Sequence, residues 1–252
     1  MHKYFAKPLF LGKMLEFLPE CHSTNEELLL RIRRETLNEG HVLHTGHQIA
    51  GKGQRGNAWL SEPGKNLLFS IYLTPKVLLP KQAYLLNIIS GLAVVDALAP
   101  RVSDKVELKW PNDVYVGDKK ISGILVETMI EGGVIADAVV GIGVNVNQSH
   151  FPLATATSIL MESGVTCELE ELLEQIIQQL EKYYLKLKSG DTRGLLGAYY
   201  KLMRWRGEIH SFRDKEGTFD GEIIGIDDTG RLTVKTNNIV RRFDVKEIAF
   251  LY

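Results

Sequence analysis

Cysteine is nearly missing: Cys21 and Cys167 are the two present in 252 residues. Neither has a second cysteine at metal-ligand spacing, which excludes a disulfide framework and a cysteine-based zinc site and fits a reducing, cytoplasmic setting. A basic excess is missing too. Lys+Arg 30 against Asp+Glu 31 gives a net charge of -1, so the chain lacks the electrostatic footprint of a nucleic-acid binder. Long uninterrupted apolar runs are also absent. Lys7, Pro8 and Lys13 interrupt the N-terminal segment, leaving no signal-peptide core. The most apolar stretch, residues 83–99, contains Asn87, Ser90 and Asp96, which predicts a buried helix and no membrane span. What remains, 44% hydrophobic and 24% charged residues, is the mixture of a globular protein able to bury an ample core.

Periodicity sets the coarse order. Ser23 with Glu26 has capping-box spacing and opens a helix over residues 24–36. Strands follow at 41–48 and 66–73, then a proline-bounded helix over 80–100. Strands at 106–111, 114–116, 121–129 and 134–146 come next, with Gly117-Asp118 as a hairpin signal. Residues 156–203 read as helical, and from 204 onward short β-prone runs alternate with turn residues. The chain therefore divides at 1–203 and 204–252, the second part a small all-β unit docked on the first. His41, His44 and His47 recur every third residue, but strand alternation turns His44 away from the other two, so no metal site is expected there.

Three segments carry chemistry. Gly51-Lys52-Gly53-Gln54-Arg55-Gly56 matches G-x-G-x-x-G, yet no helical stripe follows and Lys76 stands where a ribose-binding acid belongs, so a Rossmann unit is excluded. No Gly-Lys-Ser/Thr follows either, which excludes a Walker A loop. Two readings stay open: a solvated basic loop, or a loop whose amides wrap an anion. Next, Lys109-Trp110-Pro111-Asn112-Asp113 and Lys119-Lys120-Ile121-Ser122-Gly123 place a lysine on a return strand opposite Asn112 and Asp113. That lysine is either an ordinary hairpin charge or the partner of an anion. Finally, Gly141 and Gly143 alternate inside an apolar strand, where glycine weakens pairing unless a bulge, a neighbouring helix or a ligand requires it.

In this order the segments resemble the biotin protein ligase family, short form without an N-terminal DNA-binding domain. Lys-Trp-Pro-Asn-Asp, the 120–127 stretch and Gly-x-Gly-x-Asn at 141–145 match its catalytic domain, and Ser23-Thr24-Asn25 and Gln48 match its upstream signatures. The resemblance implies an α+β fold: a mixed, largely antiparallel sheet with flanking helices, like the class II aminoacyl-tRNA synthetases, plus a C-terminal SH3-like β-barrel. It implies an ATP-dependent ligase that forms biotinyl-5′-AMP with Mg2+ and transfers biotin to a lysine of a biotin carboxyl carrier domain. By the same carry-over Lys120 is catalytic, and Ser23, Thr24, Asn25, Gln48, Gly51, Lys52, Gly53, Gln54, Lys120 and Gly123 bind biotin. Arg55, Trp59, Asn112, Asp113 and Asn145 lie toward the nucleotide, with no protein metal ligand assigned. The glycine-rich loop would be a lid; here Lys52 and Gln54 replace the arginines many members carry, with a cation displaced to Arg55. A lipoate or octanoate ligase of related fold is the alternative. A biotin-responsive transcriptional regulator is disfavoured, because about twenty residues before Ser23 are too few for a DNA-reading module. No nucleic-acid or membrane partner is expected, and a homodimer is left open.

Overall fold

In the computed structural model, which describes residues 5, 7–237 and 239–252, the first part of the chain runs β1 (Leu15–Leu18), α1 (Thr24–Arg34), β2 (Val42–Thr45), β3 (Leu67–Leu73) and α2 (Tyr84–Leu98). It continues through β4 (Val106–Lys109), β5 (Asp113–Val116), β6 (Lys119–Glu131), β7 (Val134–Val144), α3 (Ile159–Ser163), α4 (Leu169–Lys188) and α5 (Thr192–Leu202). The last part is β8 (Ile209–Asp214), β9 (Gly217–Ile226), β10 (Leu232–Thr236), β11 (Ile239–Phe243) and β12 (Ala249–Phe250).

The first seven strands form one sheet in the order β1-β2-β3-β7-β6-β5-β4. β1 runs parallel to β2 and the other pairs are antiparallel. Strand alternation gives the sheet two different faces. Leu67, Phe69, Ile71, Val140, Ile142, Val144, Ile124, Val114 and Leu108 point one way, into a core shared with α2, α4 and α5. The helical run Pro80–Arg101 is long and apolar enough by composition to cross a membrane; here α2 lies against the sheet and α4 and is the centre of that core. On the opposite face α1 packs over β2, β3 and β7, closing a small cluster of Leu28, Leu43, Tyr72 and Val139. Both faces of β3 are thereby covered, and all of its residues are buried. The rest of that second face is open to a cleft.

Two further contacts fix the frame. The buried Glu181 carboxylate on α4 accepts the backbone N–H groups of Leu9, Phe10 and Leu11 at 2.6, 2.8 and 2.9 Å, tying the N-terminal segment to the helix. β8 to β12 make a five-stranded antiparallel sheet in the order β11-β10-β9-β8-β12, the small β unit expected at the C-terminus. It joins the first part at Arg204, buried, whose guanidinium bonds Glu107 at 2.9 Å and Asp118. Beside it Trp205 stacks on His210 at 4.0 Å and touches the rings of Phe250 and Tyr252 at 5.4 and 4.9 Å, so the beginning and the end of the unit meet. The 204–252 boundary itself is a proposal that this joint supports.

The sequence reading missed β1, four residues without a clean alternation. It also placed a capping box at Ser23. Ser23 is the N-cap residue, with extended dihedrals of -156° and 134°, but its side chain makes no cap bond. The next amide, that of Thr24, instead donates to the side chain of Gln48 at 2.8 Å, so this helix end is turned toward β2 and the cleft.

Candidate active site

The open part of the second face is paved by register. Across the ladders, Thr45 faces Leu68, Leu68 faces Gly143, Gly143 faces Gly123, Gly123 faces Asp113, and Asp113 faces Lys109. In the next row Ser70 faces Gly141, which faces Leu125. Glycines therefore form the floor where a side chain would obstruct. A Cβ on Gly143 would stand 2.6 Å from the Trp59 ring, and one on Gly123 would stand 3.0 Å from that ring and 3.2 Å from Lys120 Nζ. Over this floor lies a cleft of about 410 Å³.

At one end the wall is polar and interlocked. Thr24 and Gln48 share a bond of 2.8 Å through the Thr24 amide, and the Ser70 hydroxyl lies 2.6 Å from both Thr24 Oγ1 and Asn25 Oδ1. Asn25 Nδ2 donates to Glu127 at 2.8 Å. These residues, with Ser23, are buried to within a few percent, except Gln48 and Glu127, which are half-buried. A buried network with every member paired is rigid, and it presents fixed donors and acceptors to whatever enters.

At the middle stands Lys120. Its ammonium is 2.7 Å from the Asp113 carboxylate and 5.6 Å from the Trp59 ring centroid. Its backbone is clamped: Lys120 N–H donates to Thr155 at 2.8 Å, and its carbonyl accepts from Thr157 at 2.9 Å. Asn112 donates its side-chain amide to the Ile124 carbonyl at 2.6 Å, holding the lead-in to β5 against β6.

The glycine-rich loop folds over the cleft as a small hairpin. Trp59 N–H donates to Gly51 at 2.8 Å and Gly53 N–H to Asn57 at 2.7 Å, while a tight turn at Gln54–Gly56 forms the tip. Lys52 pairs with Glu26 of α1, which holds its ammonium above the usual lysine range. Trp59 lays its ring on the glycine floor, and its indole N–H is buried without an acceptor.

Of the residues expected from the sequence, Ser23, Thr24, Asn25, Gln48, Lys52, Gly53, Gln54, Trp59, Asn112, Asp113, Lys120 and Gly123 line one cleft. Gly51 does not; it abuts Trp59 and Gln48 from behind. Asn145 does not line the cleft: it is buried, and its side-chain amide donates to the Thr157 carbonyl at 2.9 Å, in the 155–157 segment that clamps Lys120. The side chain of Arg55 lies outside the described part of the structure. Trp59, expected over a nucleotide base, covers the floor between Gly123 and Gly143.

Lys109 and Trp110, from the motif that holds Asn112 and Asp113, also line the cleft, and Val245, Lys246, Ile248, Ala249 and Phe250, which no motif marked, complete it, so the C-terminal unit supplies one side of it. Trp110 Nε1 donates to the Gly230 carbonyl at 2.9 Å and pins that unit down. Among the described residues no group of three His, Cys, Asp or Glu side chains could hold a metal ion.

A glycine-floored cleft with a fixed polar end and a clamped lysine lets a molecule lie close against the sheet with a positive charge beside it. Residues 18–145 match the model of the biotin/lipoate A/B protein ligase family, and the chain belongs to that family. It is 32% identical over 242 residues to a bifunctional ligase/repressor, BirA, of Salmonella typhimurium, covering 92% of this chain and 72% of that one. A biotin–[acetyl-CoA-carboxylase] ligase of Mycobacterium tuberculosis is 29% identical, with 87% of this chain and 82% of that one covered. Among solved structures, a biotin protein ligase from Aquifex aeolicus in complex with biotin and ATP superposes with a TM-score of 0.77 at 28% identity, over 93% of this chain and 97% of that one.

Proposed function

We propose that this chain activates biotin with ATP as biotinyl-5′-AMP and transfers the biotinyl group to a lysine of a biotin carboxyl carrier domain of acetyl-CoA carboxylase. The observation that carries this reading is Lys120, held beside the Gly123 floor and paired to Asp113 at 2.7 Å, in a chain similar to ligases of that activity.

In the first step a biotin carboxylate oxygen bonds to the α-phosphorus, and the bond to the β-phosphate bridging oxygen breaks, pyrophosphate leaving with the electron pair. Two anions must approach, and Lys120 offsets their repulsion and the charge that grows between them. In the second step the acceptor amine attacks the acyl carbon, AMP leaves with the electrons of the acyl–oxygen bond, and the amine proton is released. Thr24, Asn25, Gln48 and Ser23 would orient the ureido end. The 51–59 hairpin, latched by Lys52 to Glu26, would shield the acyl-adenylate from water. Mg2+ is proposed to come with ATP, on the Asn112 and Asp113 side; it would supply positive charge to the phosphate oxygens.

The test is incubation of the purified chain with Mg-ATP and either biotin or lipoate, followed by mass spectrometry of the acyl-AMP. Biotinyl-AMP is expected. Lipoyl-AMP alone would overturn the substrate assignment.

A further inference from the structure

The ligase reading leaves one end of the cleft without an assigned role, and Lys109 stands there. It is the last residue of the register row Gly143, Gly123, Asp113, Lys109, so its side chain shares the face that carries the floor. Its ammonium lies 5.0, 5.0 and 5.1 Å from the ring centroids of Tyr115, Phe250 and Tyr252 and 3.2 Å from the Tyr115 hydroxyl. Asp113, its cross-strand neighbour, gives its carboxylate to Lys120. Among the described residues Lys109 forms no ion pair. The cleft thus keeps a positive charge, held by rings and not cancelled, at the end farthest from the ureido-binding wall.

The order of groups along the row decides what that charge meets. The polar wall on α1 and β3 fixes one end of the substrate, and Lys120 marks where carboxylate and α-phosphate come together. Displacement at phosphorus is in line, so the leaving group departs on the side opposite the attacking oxygen. Continuing the row from β6 leads across β5 to β4, two steps of roughly 4.8 Å each, a distance that the two remaining phosphates and the extended Lys109 side chain together can cover. We propose, resting on the ligase reading above, that Lys109 is the cation that receives the pyrophosphate end of ATP, set in place by an aromatic cage to which the C-terminal residues Phe250 and Tyr252 contribute. Rings around an ammonium stabilise its charge while leaving its N–H donors available to an oxyanion, whereas a carboxylate partner would compete with the phosphate.

The two half-reactions separate this role from a structural one, because pyrophosphate takes part only in the first. Lys109→Met keeps the length and packing of the side chain. It should raise the KM for ATP and the concentration of pyrophosphate needed for product inhibition by about ten- to a hundredfold, the value of a hydrogen bond to a charged group. Transfer from preformed biotinyl-5′-AMP to the acceptor should change less than about twofold by the same reasoning, and the biotin Kd should stay the same. Lys109→Arg should recover most of the ATP dependence, since the charge is retained. Unaltered ATP and pyrophosphate dependence in Lys109→Met, or an equal fall in both half-reactions, overturns the proposal. A wild-type enzyme that forms no biotinyl-AMP overturns the ligase reading and this one together, while a normal wild type with an unaffected variant overturns this one alone.

Discussion

Lys120 and Gly123 lie on the same face of β6 although they are three residues apart, an odd spacing that a regular strand sends to opposite faces. The ladder between β5 and β6 explains it. Val114 pairs with Ser122 and Tyr115 with Lys120, so Ile121 is an extra residue and the strand bulges there. A bulge re-aims the side chains on its two sides relative to one another. Here it brings the ammonium over the glycine floor, and the 155–157 segment clamps the result on both sides.

Replacing Lys120 by alanine should leave the fold intact and reduce adenylate formation by about a hundred- to a thousandfold, the effect of deleting one preorganised charge contact in a transition state. Pyrophosphate release, with circular dichroism as the folding control, measures it. A near-wild-type rate would remove Lys120 from the chemistry.

The floor is tested by Gly143→Ala. The added methyl would sit 2.6 Å from the Trp59 ring, and displacing a packed indole costs about 1–3 kcal/mol. Biotin Kd should rise by about five- to a hundredfold, read by titration calorimetry, with Trp59 fluorescence shifting in the free protein. Unchanged affinity and emission would mean that the floor yields at this point.

Acid stability should report on Asp227. Burial pushes its pKa up, but hydrogen bonds from the Thr229 hydroxyl and amide and from Arg231 outweigh this and hold it at about 2. A carboxylate lowered on folding stabilises the native state above its unfolded pKa of about 3.9, and that contribution is lost as pH falls toward 2. Wild type should therefore exceed Asp227→Asn in Tm at pH 6, the gap closing between pH of about 4 and 2. A gap independent of pH would assign the effect to the shape of the turn.

Glu181→Ala would strip three amides of their acceptor. Charged hydrogen bonds of this kind predict a loss of about 2–3 kcal/mol in stability, measured by urea unfolding. Adenylation at 25 °C should be unaffected, because Glu181 lies on the core side of the sheet; a selective loss of activity would contradict that separation.

How far the sequence was legible follows from the length scale of each signal. Gly141 and Gly143 could be recognised because alternation is local, and the row they form with Gly123 follows from pairing. Lys120 was visible as a lysine on the return strand, read as opposite Asn112 and Asp113; the register pairs it with Tyr115, and the bulge that aims it at Asp113 was not visible, since a single inserted residue leaves no periodicity to detect. Asn145 follows the glycines in sequence, but the strand ends at Val144 and its side chain bonds the Thr157 carbonyl, a contact that strand alternation could not foretell. Lys109 was present in a recognised motif without a role, because its cage comes from Phe250 and Tyr252, more than a hundred residues away. Local pattern cannot specify such contacts.

Trp205 has a topological consequence. By stacking on His210 and meeting Phe250 and Tyr252, it staples the two ends of the C-terminal unit into a noncovalent ring. Closing that ring removes chain entropy much as a cross-link does, and the turn at Lys215 and Glu216, exposed between β8 and β9, lies on its perimeter away from the staple. Extra sequence spliced at that tip enlarges the perimeter without opening the staple, so the wall that Phe250 gives to the cleft is insulated from length changes at the far end of the unit.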